Sequence, residues 1–401
     1  MNCGGGPVRR PHISVLVRVS AAHFISHVYI MLVPALLPLL PAALGVSYVE
    51  LGVAVSLFGI LSAVLQAPMG FVVDRFGARR VLLVGIAVGT SCCFFLTAFP
   101  SYKGLLVATS VLGAANAVYH PSDYAILSRS VKDAVMGRAF SLHSFAGFGG
   151  SAITPFLMIT IATFCGLPSA FFTAGLLGIA TLGLFFLTRS DERDEGYADE
   201  SASSEKNKSG VQMAVFTIPI FLLTLMYVLL SLSTTSIERF SVSALIEGFE
   251  TPLSLANMAL TAFLLFSAIG VLSGGALADR TRKHGYVAAS AFGIAAVLAA
   301  IVALGILPPF ALVPFFALIG FLTGIIVPSR DMLVRAASPK GGEGKTFGIV
   351  SCGFNIGGTV GPLMCGYFLD HGMPAYVFWA AVVFMVLTVL LTSVQERLKT
   401  Q

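Results

Sequence analysis

Histidines inside apolar segments are the residues of this chain best suited to carry protons. His23 and His27 lie four positions apart in the first apolar segment, so a helix places both side chains on one face. Imidazole titrates near physiological pH, and we therefore take His27 as the leading candidate for a proton site. His143 lies in the fifth apolar segment, where it could equally be a hydrogen-bonded packing residue.

Further polar residues interrupt the fourth, tenth and eleventh apolar segments. A charged group near the centre of a bilayer costs several kcal/mol, so such residues should face a cavity or a partner. Asp123 and Arg330 could alternatively form a salt bridge between two parts of the protein. The candidate substrate- and proton-binding residues are His23, His27, Asn116, Tyr119, His120, Asp123, His143, Arg330, Asp331 and Asn355.

Metal-dependent catalysis has little support in the sequence. The histidines and acidic residues are spread over several segments, without a His-Glu-x-x-His pattern. The six cysteines lack the spacing of a metal site or of a disulfide framework. We therefore expect no catalytic residues, no metal and no cofactor, and we expect that the protein is not an enzyme.

The segments that hold these residues are long and strongly apolar. The chain has 401 residues, of which 56% are hydrophobic and only 11% charged, whereas soluble proteins carry roughly 25% charged residues. Most apolar runs approach the ~20 residues that cross a bilayer. The formal charge of +5 comes from short loops and requires no nucleic acid partner. The composition predicts an all-α membrane protein embedded in a lipid bilayer.

Twelve transmembrane helices are predicted. They lie near 14–42, 50–73, 81–99, 103–129, 136–162, 167–188, 213–239, 254–278, 286–307, 310–337, 345–369 and 374–394. An even number places both termini on one side of the membrane. All Lys and Arg residues except Lys103 and Arg239 fall toward that side. The positive-inside rule makes it the cytoplasmic side.

A polar segment divides the chain near its middle. Residues 189–212 are rich in acidic residues, Ser and Lys, and such a segment cannot bury enough apolar surface to fold alone. We expect a cytoplasmic linker there. It would separate an N-terminal six-helix bundle over 1–188 from a C-terminal six-helix bundle over 213–401.

The two halves repeat one another. Residues 70–80 read GFVVDRFGARR after one apolar segment, and residues 275–283 read GALADRTRK after another, about 205 positions later. A shift of 207 positions then aligns 121–155 with 328–362 without a gap, with several glycines and prolines in common. A half-chain repeat in an apolar protein is typical of a duplicated transporter.

These motifs resemble those of the major facilitator superfamily, over essentially the whole chain. The family's loop signature reads G-x-x-x-D-R-x-G-R-K/R, and Gly70, Asp74, Arg75, Gly77 and Arg79 match it. The resemblance implies two six-helix bundles around a central cavity that opens alternately to each side of the membrane. The Tyr119-His120-Pro121 sequence and Arg330-Asp331 add a narrower resemblance to the fosmidomycin-resistance-like exporters.

The two repeated loops could act as a conformational latch. Asp and Arg side chains can make charge-assisted bonds across the cytoplasmic seam in one conformer, and those bonds must break in the other. A loop that only sets orientation is the alternative. The latch candidates are Gly70, Asp74, Arg75, Gly77, Arg79, Arg80, Asp279 and Arg280. Glu238 and Arg239, near the outer end of the seventh span, are candidates for an outer gate.

The sequence therefore predicts a secondary active transporter that works by alternating access. We expect a monomer in the cytoplasmic (inner) membrane of a bacterium, acting as a proton-coupled exporter or antiporter of a small organic compound or drug. One alternative is a proton symporter or exchanger for a small carboxylate or phosphonate, with Arg330 and the histidines as the anion site. A metal-dependent intramembrane enzyme and a sensor without transport are two further alternatives.

The charge distribution generates a test of topology. Cysteines introduced into the 189–210 segment should react with a membrane-impermeant maleimide in inverted vesicles and not in intact cells, because this segment carries the charge signature of the cytoplasmic side. Labelling in intact cells would reverse the predicted orientation.

Overall fold

The computed structural model describes residues 11–131, 133–187, 217–281, 283–337 and 343–399, and these residues are almost entirely helical. The N-half contains α1 (Pro11–Leu36), α2 (Leu40–Leu44), α3 (Tyr48–Phe76), α4 (Ala78–Ala98), α5 (Tyr102–Asn116), α6 (Tyr119–Ser130), α7 (Asp133–Cys165) and α8 (Leu167–Leu187). The C-half contains α9 (Ile218–Phe249), α10 (Leu253–Arg280), α11 (His284–Ala303), α12 (Leu312–Ala337), α13 (Glu343–Asp370) and α14 (Ala375–Lys399), with a 3₁₀ turn at Pro309–Ala311.

The predicted all-α membrane fold is confirmed. Eleven helices in the described part of the chain are long and apolar enough to cross a bilayer. The remaining predicted span, 103–129, is present as two shorter helices, α5 and α6. With these two counted as one crossing, the structure has the six-plus-six arrangement. The predicted linker at 189–212 lies outside the described residues.

The break in the fourth span lies at Ala117 and Val118. The N–H of Val118 bonds to the carbonyl of Ala115 in a tight 3₁₀-type turn. Pro121 has no N–H to donate, so the carbonyl of Ala117 loses its helical partner there. The repeat equivalent, Pro328, lies within the continuous helix α12. The break is therefore specific to the N-half.

Glycines bring neighbouring helices into direct contact within each half. A Cβ at Gly150 of α7 would overlap the carbonyl oxygen of Phe24 in α1. In the C-half, a Cβ at Gly357 of α13 would lie 2.5 Å from Cβ of Ser231 and 2.9 Å from the carbonyl oxygen of Val228 in α9. Gly150 and Gly357 are 207 positions apart, so the same close approach occurs in both halves. Small residues permit such packing in lipid, where no hydrophobic force holds helices together.

A second pair of contacts also repeats, with its glycines 207 positions apart and its phenylalanines 205 positions apart. Gly113 of α5 lies against the backbone of Phe58 in α3, and Gly320 of α12 lies against the backbone of Phe263 in α10. Each glycine permits a close backbone contact between the second and fourth spans of its half. A duplicated chain should show the same contacts between corresponding residues in both of its halves.

The two halves meet along two seams. Helix α3 packs on α13, and helix α7 packs on α10. The repeat relates these seams, because α3 corresponds to α10 and α7 corresponds to α13. The two bundles therefore face each other about an approximate two-fold axis, with space between them for a central site.

Close packing at Gly150 predicts a local sensitivity to size. Gly150→Ala should lower the melting temperature in detergent, because its Cβ meets a backbone oxygen that cannot move aside; overpacking of this kind costs about 1–3 kcal/mol. Gly149→Ala is the matched control, since a Cβ there meets only a Phe24 ring carbon at 4.0 Å. Equal melting temperatures for the two variants would contradict this account of α1–α7 packing.

Candidate functional site

A cavity of about 370 Å³ lies between the two halves. Asn116, Arg330 and Asn355 of the predicted binding residues line it, and so do Glu238 and Arg239. The other polar lining residues include Ser62, Ser231, Thr234, Thr235, Ser267 and Thr323. Phenylalanine rings and aliphatic side chains complete the wall. The cavity thus offers an amphipathic site for a small molecule.

Histidines and one aspartate form a buried cluster in the N-half. Asp123 of α6 is fully buried, and its carboxylate lies 3.5 Å from Nδ1 of His23 and 3.6 Å from Nε2 of His143. The rings of His23 and His143 stack with centroids 4.0 Å apart. The rings of His27 and His120 lie 4.7 Å and 5.3 Å from that of His23. The structure therefore brings together five residues from three predicted spans.

Several buried polar atoms of the cluster have no hydrogen-bond partner among the described residues. They include both carboxylate oxygens of Asp123, both ring nitrogens of His143 and Nδ1 of His23. A buried carboxylate beside neutral imidazoles is costly, and a proton on the carboxyl, or on an imidazole beside it, lowers that cost. The geometry is suited to holding and exchanging a proton.

The same donor atoms are also types that bind metal ions. His23, Asp123 and His143 each offer one ligand atom, and these atoms all lie within 4.8 Å of one another. Imidazole nitrogen and carboxylate oxygen are the usual ligands of zinc when cysteine is not used. The expectation that the protein carries no metal stays a prediction.

The cluster lies directly behind the cavity wall. Nδ1 of His27 is 2.8 Å from Oγ of Ser151, and its ring centroid is 6.4 Å from that of Phe148, which lines the cavity. Asn116, at the end of α5, lines the cavity and donates to Oγ of Ser62 at 2.8 Å. Helices α1, α7 and the broken fourth span thus contribute to both the cavity and the cluster.

Arg330 occupies the equivalent place in the C-half. Its guanidinium carbon lies 4.5 Å from the ring centroid of Phe354 and 5.0 Å from that of Tyr227. Nε of Arg330 donates to Asp331 at 3.2 Å, and the Tyr227 hydroxyl donates to the same carboxylate at 2.9 Å. The aromatic faces and Asp331 fix the guanidinium at the cavity wall.

Positions that the repeat makes equivalent carry residues of opposite charge in the two halves. Arg330 is the register equivalent of Asp123, and Phe354 is the equivalent of Gly147. Gly147 leaves room for His23 and His27, because a Cβ there would lie 2.6 to 2.8 Å from both rings. One half therefore places histidines and a carboxylate at this position, and the other places an arginine there.

The remaining predicted residues fall in different places. Tyr119 is buried in the N-half, and its hydroxyl has no hydrogen-bond partner among the described residues. His120 stacks on Tyr124, with ring centroids 6.1 Å apart. Asp123 faces histidines of its own half, so the alternative salt bridge with Arg330 is not the arrangement in this conformer. Asp331 does not line the cavity; its partly exposed carboxylate accepts a hydrogen bond from Nε of Arg330.

The turn between α3 and α4 depends on a glycine with a positive φ angle. Gly77, with φ of 92°, ends α3 and starts α4. Arg75 lies over the Phe76 ring at 5.4 Å, and Arg79 donates to the carbonyl of Phe185 at 3.1 Å. The side chains of Asp74 and Asp279 lie outside the described residues. The latch and the outer gate at Glu238 and Arg239 stay predictions.

Sequence reasoning missed several side chains that complete the two sites. Ser151, Tyr227 and Phe354 contact His27, Asp331 and Arg330 respectively. The repeat register would have located Phe354, because it pairs this residue with Gly147 beside the histidines. No such signal was available for Tyr227, whose register equivalent is Ser20.

Comparisons with known proteins agree with this architecture. The fosmidomycin resistance protein of Escherichia coli is 22% identical over 370 residues, which cover 90% of this chain and 88% of that protein. The multi-drug resistance efflux pump PmrA of Streptococcus pneumoniae (TIGR4) is 24% identical over 94% of both chains.

A solved structure shares the fold. It is the inward-facing, unoccupied conformation of a bacterial homolog of the human lysosomal transporter Spinster, which covers 98% of both chains with a TM-score of 0.77 and 14% identity. The family model of the Major Facilitator Superfamily matches residues 19–248 and 239–399. This chain therefore belongs to the Major Facilitator Superfamily and is a secondary transporter, not an enzyme.

Proposed function

We propose that this transporter exports a small organic compound in exchange for protons across the cytoplasmic membrane of a bacterium. Its termini and linker would lie in the cytoplasm. The single observation that carries the proposal is the buried cluster of His23, Asp123 and His143 behind the wall of the central cavity.

The position of the cluster supports coupling between proton and substrate. Within the cluster, His27 contacts His23, and it lies near Phe148 in the cavity wall. A change of charge at His27 or Asp123 would alter the cost of excluding water from this wall when the cavity closes. Substrate occupancy would in turn alter the same cost. Two ligands that bias one conformational equilibrium are coupled.

The proton gradient supplies enough energy for export. A membrane potential of 100 mV contributes about 2.3 kcal/mol for each charge, and each pH unit contributes about 1.4 kcal/mol. Each 1.4 kcal/mol supports roughly a tenfold concentration ratio. The name of the PmrA relative, an efflux pump, supports the outward direction.

Arg330 supports a second function, the exchange or symport of a small organic anion. Its guanidinium lies in the cavity wall between two aromatic rings. Guanidinium groups bind carboxylates and phosphonates through paired hydrogen bonds. An amphipathic anion could therefore use Arg330 and the aromatic faces together.

The proton role of His27 can be tested by comparing two transport modes. His27→Gln keeps a hydrogen-bonding side chain but cannot titrate, so it should abolish uptake driven by a pH gradient in inverted proteoliposomes. It should spare substrate counterflow, which needs no net proton movement. Fosmidomycin is the first probe, with small carboxylates as the second and an internal pH dye as the readout.

Matched controls make this comparison decisive. His371→Gln changes an exposed histidine that lies just after α13 and contacts Tyr367 of that helix, and it should leave both modes intact. Full pH-driven transport by His27→Gln would make His27 a packing residue, and Asp123→Asn would then be tested in the same way. Loss of wild-type transport on adding a chelator would instead indicate a metal at the cluster.

If the substrate is a small organic anion, substitution of Arg330 in the cavity wall should affect transport differently from substitution of His27. Arg330→Gln should weaken both pH-driven transport and counterflow of an anionic probe about tenfold or more, because it removes a charge-assisted bond of roughly 1.5–3 kcal/mol. Arg330→Lys should recover part of the affinity. Unchanged counterflow with Arg330→Gln would remove Arg330 from the binding site.

A further inference from the structure

The first turn of α3 finds hydrogen-bond acceptors in the opposite half of the protein. Asp370, the last residue of α13, accepts hydrogen bonds from the backbone N–H groups of Tyr48 at 2.7 Å and of Val49 at 2.8 Å. The Tyr48 hydroxyl also donates to Glu247, near the end of α9, at 3.2 Å. Three helices from two halves thus meet at the end of the molecule opposite the Gly77 turn.

Asp370 completes a cap that α3 only partly provides for itself. The Ser47 hydroxyl accepts from the N–H of Glu50, and the Glu50 carboxylate accepts from the N–H of Ser47. Helices begin with N–H groups that have no partner within the helix, and here Asp370 supplies the missing acceptor for two of them. A carboxylate is also favourable at the positive end of the helix dipole.

The seam below this contact is closely packed. A Cβ at Gly52 would lie 2.6 Å from the carbonyl oxygen of Pro362, and Oγ of Ser56 donates to the carbonyl of Thr359 at 2.8 Å. Helices α3 and α13 therefore touch through their backbones from this end of the molecule toward the level of the cavity. The cavity cannot open at this end along this seam unless α3 and α13 separate.

The duplicated fold does not by itself require a carboxylate at this place. The 207-residue register pairs Asp370 with Thr163 of α7, which is exposed and cannot act as an anion. The related seam between α7 and α10 thus has no carboxylate at the equivalent position. Asp370 is a feature of one seam only, which points to a role beyond general packing.

We propose that Asp370 is a positioning residue of the transport cycle, which holds the cavity closed at the Tyr48 end and must release α3 before the cavity opens there. The contact involves the ends of two helices and is partly exposed, so water can replace each partner when they separate. The proposal depends on alternating access, and it does not depend on export, on protons or on the substrate.

Access to the cavity from each face tests the proposal without any substrate. Thr234→Cys places a thiol in the cavity wall, in a chain in which Cys3 and the exposed Cys165 and Cys352 are replaced by serine. A membrane-impermeant maleimide is then applied to intact cells and to inverted vesicles. Asp370→Asn should raise labelling from the face at which Tyr48 lies by about tenfold and lower it from the opposite face, because the variant shifts a population between two conformers.

Two further variants separate the hydrogen bonds of Tyr48 from each other. Tyr48→Phe removes only the bond to Glu247, whereas Tyr48→Pro also removes the N–H that donates to Asp370. Proline is tolerated here, because Ser47 is extended, with φ of −80° and ψ of 164°, and Tyr48 is the first helical residue. The proposal expects Tyr48→Pro to increase labelling well beyond Tyr48→Phe.

Control variants define the outcomes that would overturn the proposal. Asp370→Glu keeps a carboxylate and should label nearly as slowly as the parent, and His371→Asn changes the adjacent residue and should have no effect. Parent-like labelling of Asp370→Asn would show that the contact does not hold this end closed. An increase in labelling from both faces of the membrane would also overturn the proposal. Such a result would indicate that the whole structure has loosened, not that the population has shifted between conformers.

Discussion

Close contact between helix backbones is the condition on which the rest of this structure depends. Helices in lipid gain little from burying apolar side chains against one another, so they associate where small residues let their backbones touch. Gly150 permits this contact between α1 and α7, and Gly357 permits it between α9 and α13. These pairs make each half a firm unit. The histidines on α1 and α7 are held against Asp123 only because their helices lie so close together.

The repeated scaffold carries different chemistry in its two halves. Equivalent positions hold Asp123 among histidines on one side and Arg330 between aromatic rings on the other. Neither the Asp123 carboxylate nor the Arg330 guanidinium would be stable within the bilayer without partners, since an isolated charge there has no solvent to stabilise it. Asp331 and the rings stabilise Arg330, and a shared proton would stabilise the histidine cluster. The two sites thus differ in chemistry, and Arg330 lines the cavity while the histidine cluster lies behind its wall.

The fold could be predicted from the sequence because its signals are strong and repeated. The lengths of the apolar segments predicted the helices. The 207-residue register predicted a duplicated arrangement, and the contacts of Gly150 with Phe24 and of Gly357 with Ser231 repeat in that register. The histidine cluster was predicted as separate candidates, but their convergence on Asp123 was not, because it depends on how three helices are rotated. The contact of Asp370 with Tyr48 was missed for a similar reason: it joins residues 322 positions apart through backbone donors that no side-chain pattern reveals.

The interruption between α5 and α6 has a mechanical consequence. A continuous helix resists bending over its whole length, whereas a short helix that follows a turn can tilt as a separate piece. Helix α6 carries His120 and Asp123, and α5 ends with Asn116 in the cavity wall. The corresponding helix of the other half, α12, is unbroken. The fourth span is thus jointed where its C-half counterpart is continuous, so a tilt of α6 would move the Asp123 carboxylate while α5 keeps its place in the cavity wall.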